Sequence, residues 1–229
     1  MPTDPIAADF DADMFVAMAA RAEERRRALE PPPEDPTIAR ARLLADRAQV
    51  LIAGGFGRRE VDRCRPDDPG LTRALEHARA FVAQAERAVL VLLGGTGTGK
   101  TTAATWIARE VGGSRPVMVA ATTLERRGRY DAAFAARLDT ATLVVLDDLG
   151  VEPMDGKGYF AALVDELVDR AYRDHRRLVV TSNADLAELR DRLGARVGSR
   201  FVQAAMTAAC GDVDLRRPVP TLRATGGGR

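Results

Sequence analysis

From residue 88 onward the chain alternates short, wholly apolar runs with longer stretches in which apolar residues recur every three or four positions. The runs occupy 88–93, 116–121, 141–146 and 177–182. A strand covered on one face alternates apolar and polar side chains, whereas one covered on both faces is apolar at consecutive positions. These runs therefore predict a parallel sheet with helices on both faces. The stretches 101–110, 124–138, 158–175 and 186–193 supply the helices, the first stopped by Gly112-Gly113. Before residue 88 the pattern is helical. Phe10, Met14, Phe15, Met18 and Ala22 share one face of a helix over 10–30. Ile38, Leu43, Leu44 and Leu51 mark a second helix, with Thr37 as its expected cap and Gly54-Gly55 as its end. Leu71, Leu75, Ala78, Phe81 and Val82 mark a third over 71–85.

Between the first two helices lie Pro31, Pro32, Pro33 and Pro36. Each proline lacks an N–H donor and restrains its predecessor, so this stretch reads as a stiff connector and a boundary. The organisation expected is a helical N-terminal arm over 1–50, an α/β domain over 51–217, and a disordered tail over 218–229 containing Gly226-Gly227-Gly228.

Composition narrows the class. With 229 residues, 46% apolar and 29% charged, the chain is globular and large enough to bury a core. No apolar run approaches the roughly 20 residues that a membrane helix needs, and the acidic first ten residues lack the order of a secretion signal. Two cysteines, Cys64 and Cys210, provide neither a disulfide framework nor a zinc-ligand pair. A soluble cytoplasmic protein is expected. The net charge of +1 conceals a gradient: residues 1–35 hold 4 basic and 9 acidic side chains, and residues 170–229 hold 12 basic and 6 acidic. An anionic partner would meet the C-terminal third.

Gly94-Gly95-Thr96-Gly97-Thr98-Gly99-Lys100-Thr101 satisfies G-x-x-x-x-G-K-[ST] between an expected buried strand and an expected helix. The glycines let successive N–H groups converge on phosphate oxygens, and the helix N-terminus adds positive potential. Lys100 reaches the terminal phosphates, and Thr101 offers a hydroxyl to Mg²⁺; Thr102 completes the expected nucleotide-binding stretch. The chain uses 32 arginines and only two lysines, Lys100 and Lys157, so the lysine in this loop stands out against the composition.

The run 143–146 leads into Asp147-Asp148 at an expected strand end, where ligands of such sheets bind. We assign Asp147 to the Mg²⁺ shell and Asp148 to orienting and deprotonating the attacking water; the alternative is a pair of acids capping the loop before Gly150. The strand 177–182 is followed by Asn183, which either bonds the γ-phosphate or the water, or forms a turn. Arg196 and Arg200 lie four apart on one helical face, as solvated charge or as a finger stabilising phosphate across a subunit boundary; Arg200 is the candidate we favour. That choice implies an ATP-dependent homo-oligomer.

The phosphate loop, Leu146-Asp147-Asp148-Leu149-Gly150, Thr181-Ser182-Asn183 and Ser199-Arg200-Phe201, in this order, resemble the DnaC/IstB-like branch of AAA+ ATPases, which comprises helicase loaders and transposition helpers. The resemblance covers roughly residues 51–217. It implies a P-loop NTPase fold of AAA+ type, ATP and Mg²⁺ as cofactors, and Lys100 and Thr101 as the Walker A residues. It further implies that Asp147 and Asp148 are the Walker B pair, Asn183 is sensor 1, and Arg200 is the arginine finger. It places Arg216, in the segment 211–216, near the nucleotide. Asp148 stands where the wider superfamily has glutamate, which fits slow, switch-like hydrolysis.

The resemblance also implies single-stranded DNA as a partner and an arm that holds a replicative helicase or a transposase. Arg126, Arg127, Arg129 and Tyr130 are the candidate DNA contacts, because cations track phosphates and a tyrosine face stacks on a base; a solvated helix end is the other reading. The Phe- and Met-bearing arm either docks a partner or packs on its own domain. A loader of a replicative helicase is the expected function, with a transposition helper as the alternative. A small-molecule kinase would leave Asn183 and Arg200 unexplained, and an adaptor without turnover would show no hydrolysis.

Overall fold

The structure, a computed structural model, describes residues 12–29, 35–64, 72–152, 158–203 and 205–215. Two compact units divide it, Met1–Leu43 and Leu44–Arg229. Phe10, residues 31–34, Leu71, Lys157, Arg216, Arg217 and the tail lie outside the described residues.

The first unit contains α1 (Ala12–Leu29) and the start of α2 (Pro36–Ala53). On α1 the side chains of Met18 and Ala22 are exposed. Thr37 does not cap α2. Its N–H donates to the Asp35 carboxylate at 2.7 Å, and Pro36 occupies the first helical position. Proline fits there because that N–H has no helical partner and φ is already helical. The connector therefore ends at Asp35, one residue before its last proline.

The second unit opens with the rest of α2, then α3 (Arg58–Arg63), α4 (Arg73–Ala83), β1 (Val89–Leu93) and α5 (Lys100–Val111). There follow β2 (Pro116–Ala120), α6 (Ala121–Arg127), α7 (Ala132–Asp139), β3 (Leu143–Leu149) and α8 (Tyr159–Arg173). The last elements are β4 (Arg177–Ser182), α9 (Leu186–Leu193), α10 (Ala195–Gln203) and β5 (Met206–Ala209). Several of these differ from the periodicity. The expected helix 124–138 is two helices, since Gly128 ends α6 and the Asp131 carboxylate accepts the Phe134 N–H at 2.9 Å to start α7. The strand expected over 141–146 begins at Leu143 and runs on through both acids to Leu149. β5 is too short and too mixed to register as an apolar run, yet it pairs with β1.

All strands are parallel, in the order β2-β3-β4-β1-β5. Alternate residues of each strand feed opposite cores, which is why the runs are continuously apolar. Val89 and Val91 of β1 face α8, α9 and α10 in a core with Val164, Leu189 and Phe201. Leu90 and Leu92 face α4 and α5 in a second core with Leu75, Phe81 and Ile107. A fully buried leucine such as Leu92 contributes about 1.5–3 kcal/mol of burial energy. Among the described residues no helix is long and apolar enough to cross a membrane.

Because β1 lies between β4 and β5, the loop after β1 emerges beside the ends of β4 and, one strand further, β3. The Gly94 N–H donates to Ser182 O at 3.2 Å and the Gly95 N–H to Gly211 O at 3.1 Å, so that loop is anchored to both neighbouring strands.

Candidate active site

The loop between β1 and α5 borders a cleft of about 640 Å³, also lined from α3, α4 and the ends of β3 and β4. That size suits a small-molecule ligand. Residues 96–102 all line it. Gly97 and Gly99 have φ of +84° and +87°, left-handed values that glycine adopts without steric penalty. At Gly97 a Cβ would also overlap the Asp214 carboxylate, while Leu215 N–H donates to Gly97 O at 3.0 Å. Glycine at 97 thus allows both the left-handed turn of the loop and the close approach of Asp214.

Lys100 opens α5 and is only 5% exposed. Its ammonium donates to Gly94 O and Gly95 O, each at 2.7 Å, and to Asn183 Oδ1 at 2.9 Å. A buried ammonium needs such acceptors. The next residue, Thr101, donates its hydroxyl to Asp147 Oδ1 at 3.1 Å. The first two residues of α5 therefore each bond one expected residue at a strand end, Lys100 to Asn183 after β4 and Thr101 to Asp147 of β3. Asp148 also lines the cleft, exposed, with φ +55°.

Burial pushes the Asp147 carboxyl above the ordinary carboxylate range. The Thr181 hydroxyl opposes that shift, the neighbouring Asp148 charge reinforces it, and the Thr101 hydroxyl and Lys100 ammonium oppose it further. The donor set fits magnesium. It offers a hydroxyl and a carboxylate, hard oxygens of the kind that bind Mg²⁺ together with phosphate oxygens and water. Among the described residues no cluster of three His, Cys, Asp or Glu side chains could hold a metal alone.

Other candidates sit elsewhere. Arg196 and Arg200 do not line the cleft. On α10 both meet acids of α8: Arg196 Nε lies 3.0 Å from Asp165 Oδ2, and Arg200 lies 3.0 Å from Asp165 Oδ1 and is ion-paired with Asp169. Arg196 is 73% exposed and Arg200 only 27%. Arg126, Arg127, Arg129 and Tyr130 cluster around the turn after α6, outside the cleft. Arg127 is engaged by Asp131 and by the Phe134 ring, 4.9 Å from its centroid. Arg129 lies between Tyr130 and Tyr159, at 5.1 and 3.9 Å from their rings.

The periodicity did not single out several residues of the site. Thr181 contacts both acids, Thr72 caps α4 and lines the cleft, and Glu60, Cys64 and Trp106 line it as well. Only Thr181 left a trace in the sequence, as a hydroxyl two positions before Asn183.

The family described as IstB-like ATP binding protein matches residues 72–210, from the cap of α4 to the residue after β5. The chain belongs to this IstB-like ATP-binding family. Its members are AAA+ P-loop proteins, and the matched span holds the whole sheet and every motif that meets in the cleft. No curated protein is significantly similar in sequence. Among solved structures, DnaI is 24% identical with a TM-score of 0.51, over 63% of this chain and 87% of its own. The DnaC helicase loader is also 24% identical, with a TM-score of 0.50, over 64% of this chain and 93% of its own. The replication initiator DnaA, bound to AMPPCP and single-stranded DNA, is 18% identical with a TM-score of 0.49; the match covers 59% of this chain and less than half, 44%, of the initiator. DnaI and DnaC share the fold of this IstB-like protein.

Proposed function

We propose that this IstB-like protein is an ATP-hydrolysing switch that, in its ATP-bound form, loads a replicative helicase onto single-stranded DNA. One observation supports the ATPase part: Lys100, Thr101, Asp147 and Asn183 line one cleft with the glycine-rich loop, where Lys100 bonds Asn183 and Thr101 bonds Asp147. Each has a task that phosphoryl transfer requires, since that reaction depends on positioning and charge stabilisation. The N–H groups of residues 96–102, which line the cleft, hold phosphate oxygens, whereas those of Gly94 and Gly95 are bonded to Ser182 and Gly211. Lys100 turns its ammonium toward the terminal phosphates. Asp148, exposed in the cleft, orients the attacking water and accepts its proton, and Asn183 holds that water or the γ-phosphate in line. Thr101 and Asp147 would hold Mg²⁺, which would supply positive charge to the phosphates when bound.

Arg200 serves as a finger for the neighbouring subunit's nucleotide, so activity requires an ATP-dependent homo-oligomer. The short Asp148 side chain makes hydrolysis slow, and DNA regulates it. The arm over 1–50 binds the partner, and 51–217 is the ATPase domain. Arg126, Arg129 and Tyr130, exposed around one turn, contact the DNA strand together with Arg127. A protein acting on replicating bacterial or phage DNA works in the cytoplasm. DnaC, which has the same fold, is a helicase loader.

The IstB-like family match favours a second reading, in which the same ATPase regulates a transposase. Capture by the full chain of a replicative helicase supports the first reading, and capture of a transposase supports the second. Phosphate release tests what both share. Wild type should turn over ATP, faster with single-stranded DNA, and Lys100→Ala should not; equal release from both proteins would refute the ATPase reading.

A further inference from the structure

We propose that Thr181 is a positioning residue that sets both acids at the end of β3 for their separate tasks, an inference that rests on the ATPase reading above. The parallel strands β3 and β4 run in step from Leu143 opposite Arg177 to Leu146 opposite Val180, and meet again at Leu149 opposite Ser182. Residues 147–149 of β3 thus face only Thr181 and Ser182, a bulge that interrupts the ladder. Asp148 absorbs the extra residue with φ +55°, a conformation uncommon for any residue but glycine.

A bulge deprives a backbone N–H of its strand partner, and a buried strand end offers little water to replace it. Here a side chain does so. The Asp148 N–H donates to Thr181 Oγ1 at 3.0 Å. Having accepted that bond, the hydroxyl points its own hydrogen at Asp147 Oδ1, 2.7 Å away. A single hydroxyl therefore fixes the backbone of one acid and the carboxylate of the other. The next residue continues the pattern: Ser182 Oγ donates to Leu149 O at 2.6 Å and accepts the Ala184 N–H at 3.0 Å.

The consequence for Asp147 is directional. Its Oδ1 receives Thr181 at 2.7 Å and Thr101 at 3.1 Å, whereas Oδ2 has Thr101 only at 3.5 Å. Oδ1 is thus the oxygen held by protein hydroxyls, and Oδ2 is the less engaged of the two. For Asp148 the same hydroxyl holds the left-handed turn that leaves its carboxylate exposed in the cleft. Thr181 itself is fully buried, touches no ligand position, and acts through these two residues.

Thr181→Val keeps the β-branched shape and removes the hydroxyl; Thr181→Ser keeps the hydroxyl. Partners of this kind typically matter by about 10- to 100-fold. Thr181→Val should lower kcat by about that factor, and Thr181→Ser should restore it. Calorimetry gives a second readout: Thr181→Val should bind ATP without magnesium as wild type does and lose the affinity gained on adding it. Thr181→Ala, which places no methyl against the Asp148 amide, gives the same readouts should valine unfold the domain. Wild-type kcat in Thr181→Val or Thr181→Ala, or a Thr181→Ser protein as impaired as valine at equal melting temperature, would overturn the role of Thr181 alone. Wild type without Lys100-dependent hydrolysis would overturn the ATPase reading beneath it.

Discussion

The Lys100 ammonium donates to the Asn183 side-chain oxygen at 2.9 Å, although 83 positions separate the two residues. That bond ties the loop after β1 to the end of β4 and, in the function proposed above, joins the group assigned to the outer phosphates to the one assigned to sense them. The pair should act as a unit. In a double-mutant cycle on nucleotide affinity, Lys100→Ala and Asn183→Ala should be non-additive, with a coupling of about 0.5–3 kcal/mol. Strict additivity would show that the contact carries no energy in the nucleotide-bound protein.

Gly97→Ala tests the glycine-rich loop. The substitution forces a side chain into φ +84° and drives its Cβ into the Asp214 carboxylate. Left-handed backbone alone costs about 1–2 kcal/mol. Nucleotide affinity should fall by tenfold or more, and thermal melting should show a lower midpoint. Gly158→Ala, at φ +69° with no atom within 4 Å, should lose stability to backbone strain but keep its affinity.

Arg200 is the point where two roles can be separated. Within one chain it pairs with Asp165 and Asp169, so Arg200→Ala removes an ion-pair partner whatever else it does. If it also serves a neighbour, mixing Arg200→Ala with Asp148→Asn subunits should recover hydrolysis that neither variant has alone, because some interfaces then hold both intact groups. No recovery at any ratio would leave Arg200 a structural residue of α10.

Much of this site was legible because it lies in local patterns. The phosphate loop is contiguous, and the apolar runs of β1 and β3 point to burial on both faces. The turn at Gly128 was not legible, because the apolar spacing of residues 124–138 fits one helix and only the Asp131 cap shows two. The Thr181 link was hidden for a different reason. It depends on a one-residue slip in register between β3 and β4, which no property of either strand alone encodes. The cleft wall from α3 has no apolar period long enough to read, since the helix spans six residues.

The cysteines give a pH-dependent prediction. Both are buried and free, and burial pushes both thiols up, that of Cys64 to about 12. A thiol whose native value exceeds its unfolded one stays protonated in the fold while the unfolded chain ionises, so stability falls as pH rises above the unfolded value. For Cys64 the loss should be about 1.4 kcal/mol per pH unit between about 9 and about 12. Denaturant melts of wild type and Cys64→Ala should diverge over that window and run parallel below pH 8. At pH 8 the native protein should react slowly with a disulfide reagent, and the unfolded chain should release two equivalents.

Calorimetric titration of a non-hydrolysable ATP analogue, with and without magnesium, tests the central claim most directly. The geometry of Lys100, Thr101 and Asp147 requires one saturable site per chain that tightens when magnesium is added and weakens at least tenfold in Lys100→Ala. Absence of binding heat in the wild type, or equal affinity in the wild type and Lys100→Ala, would contradict it.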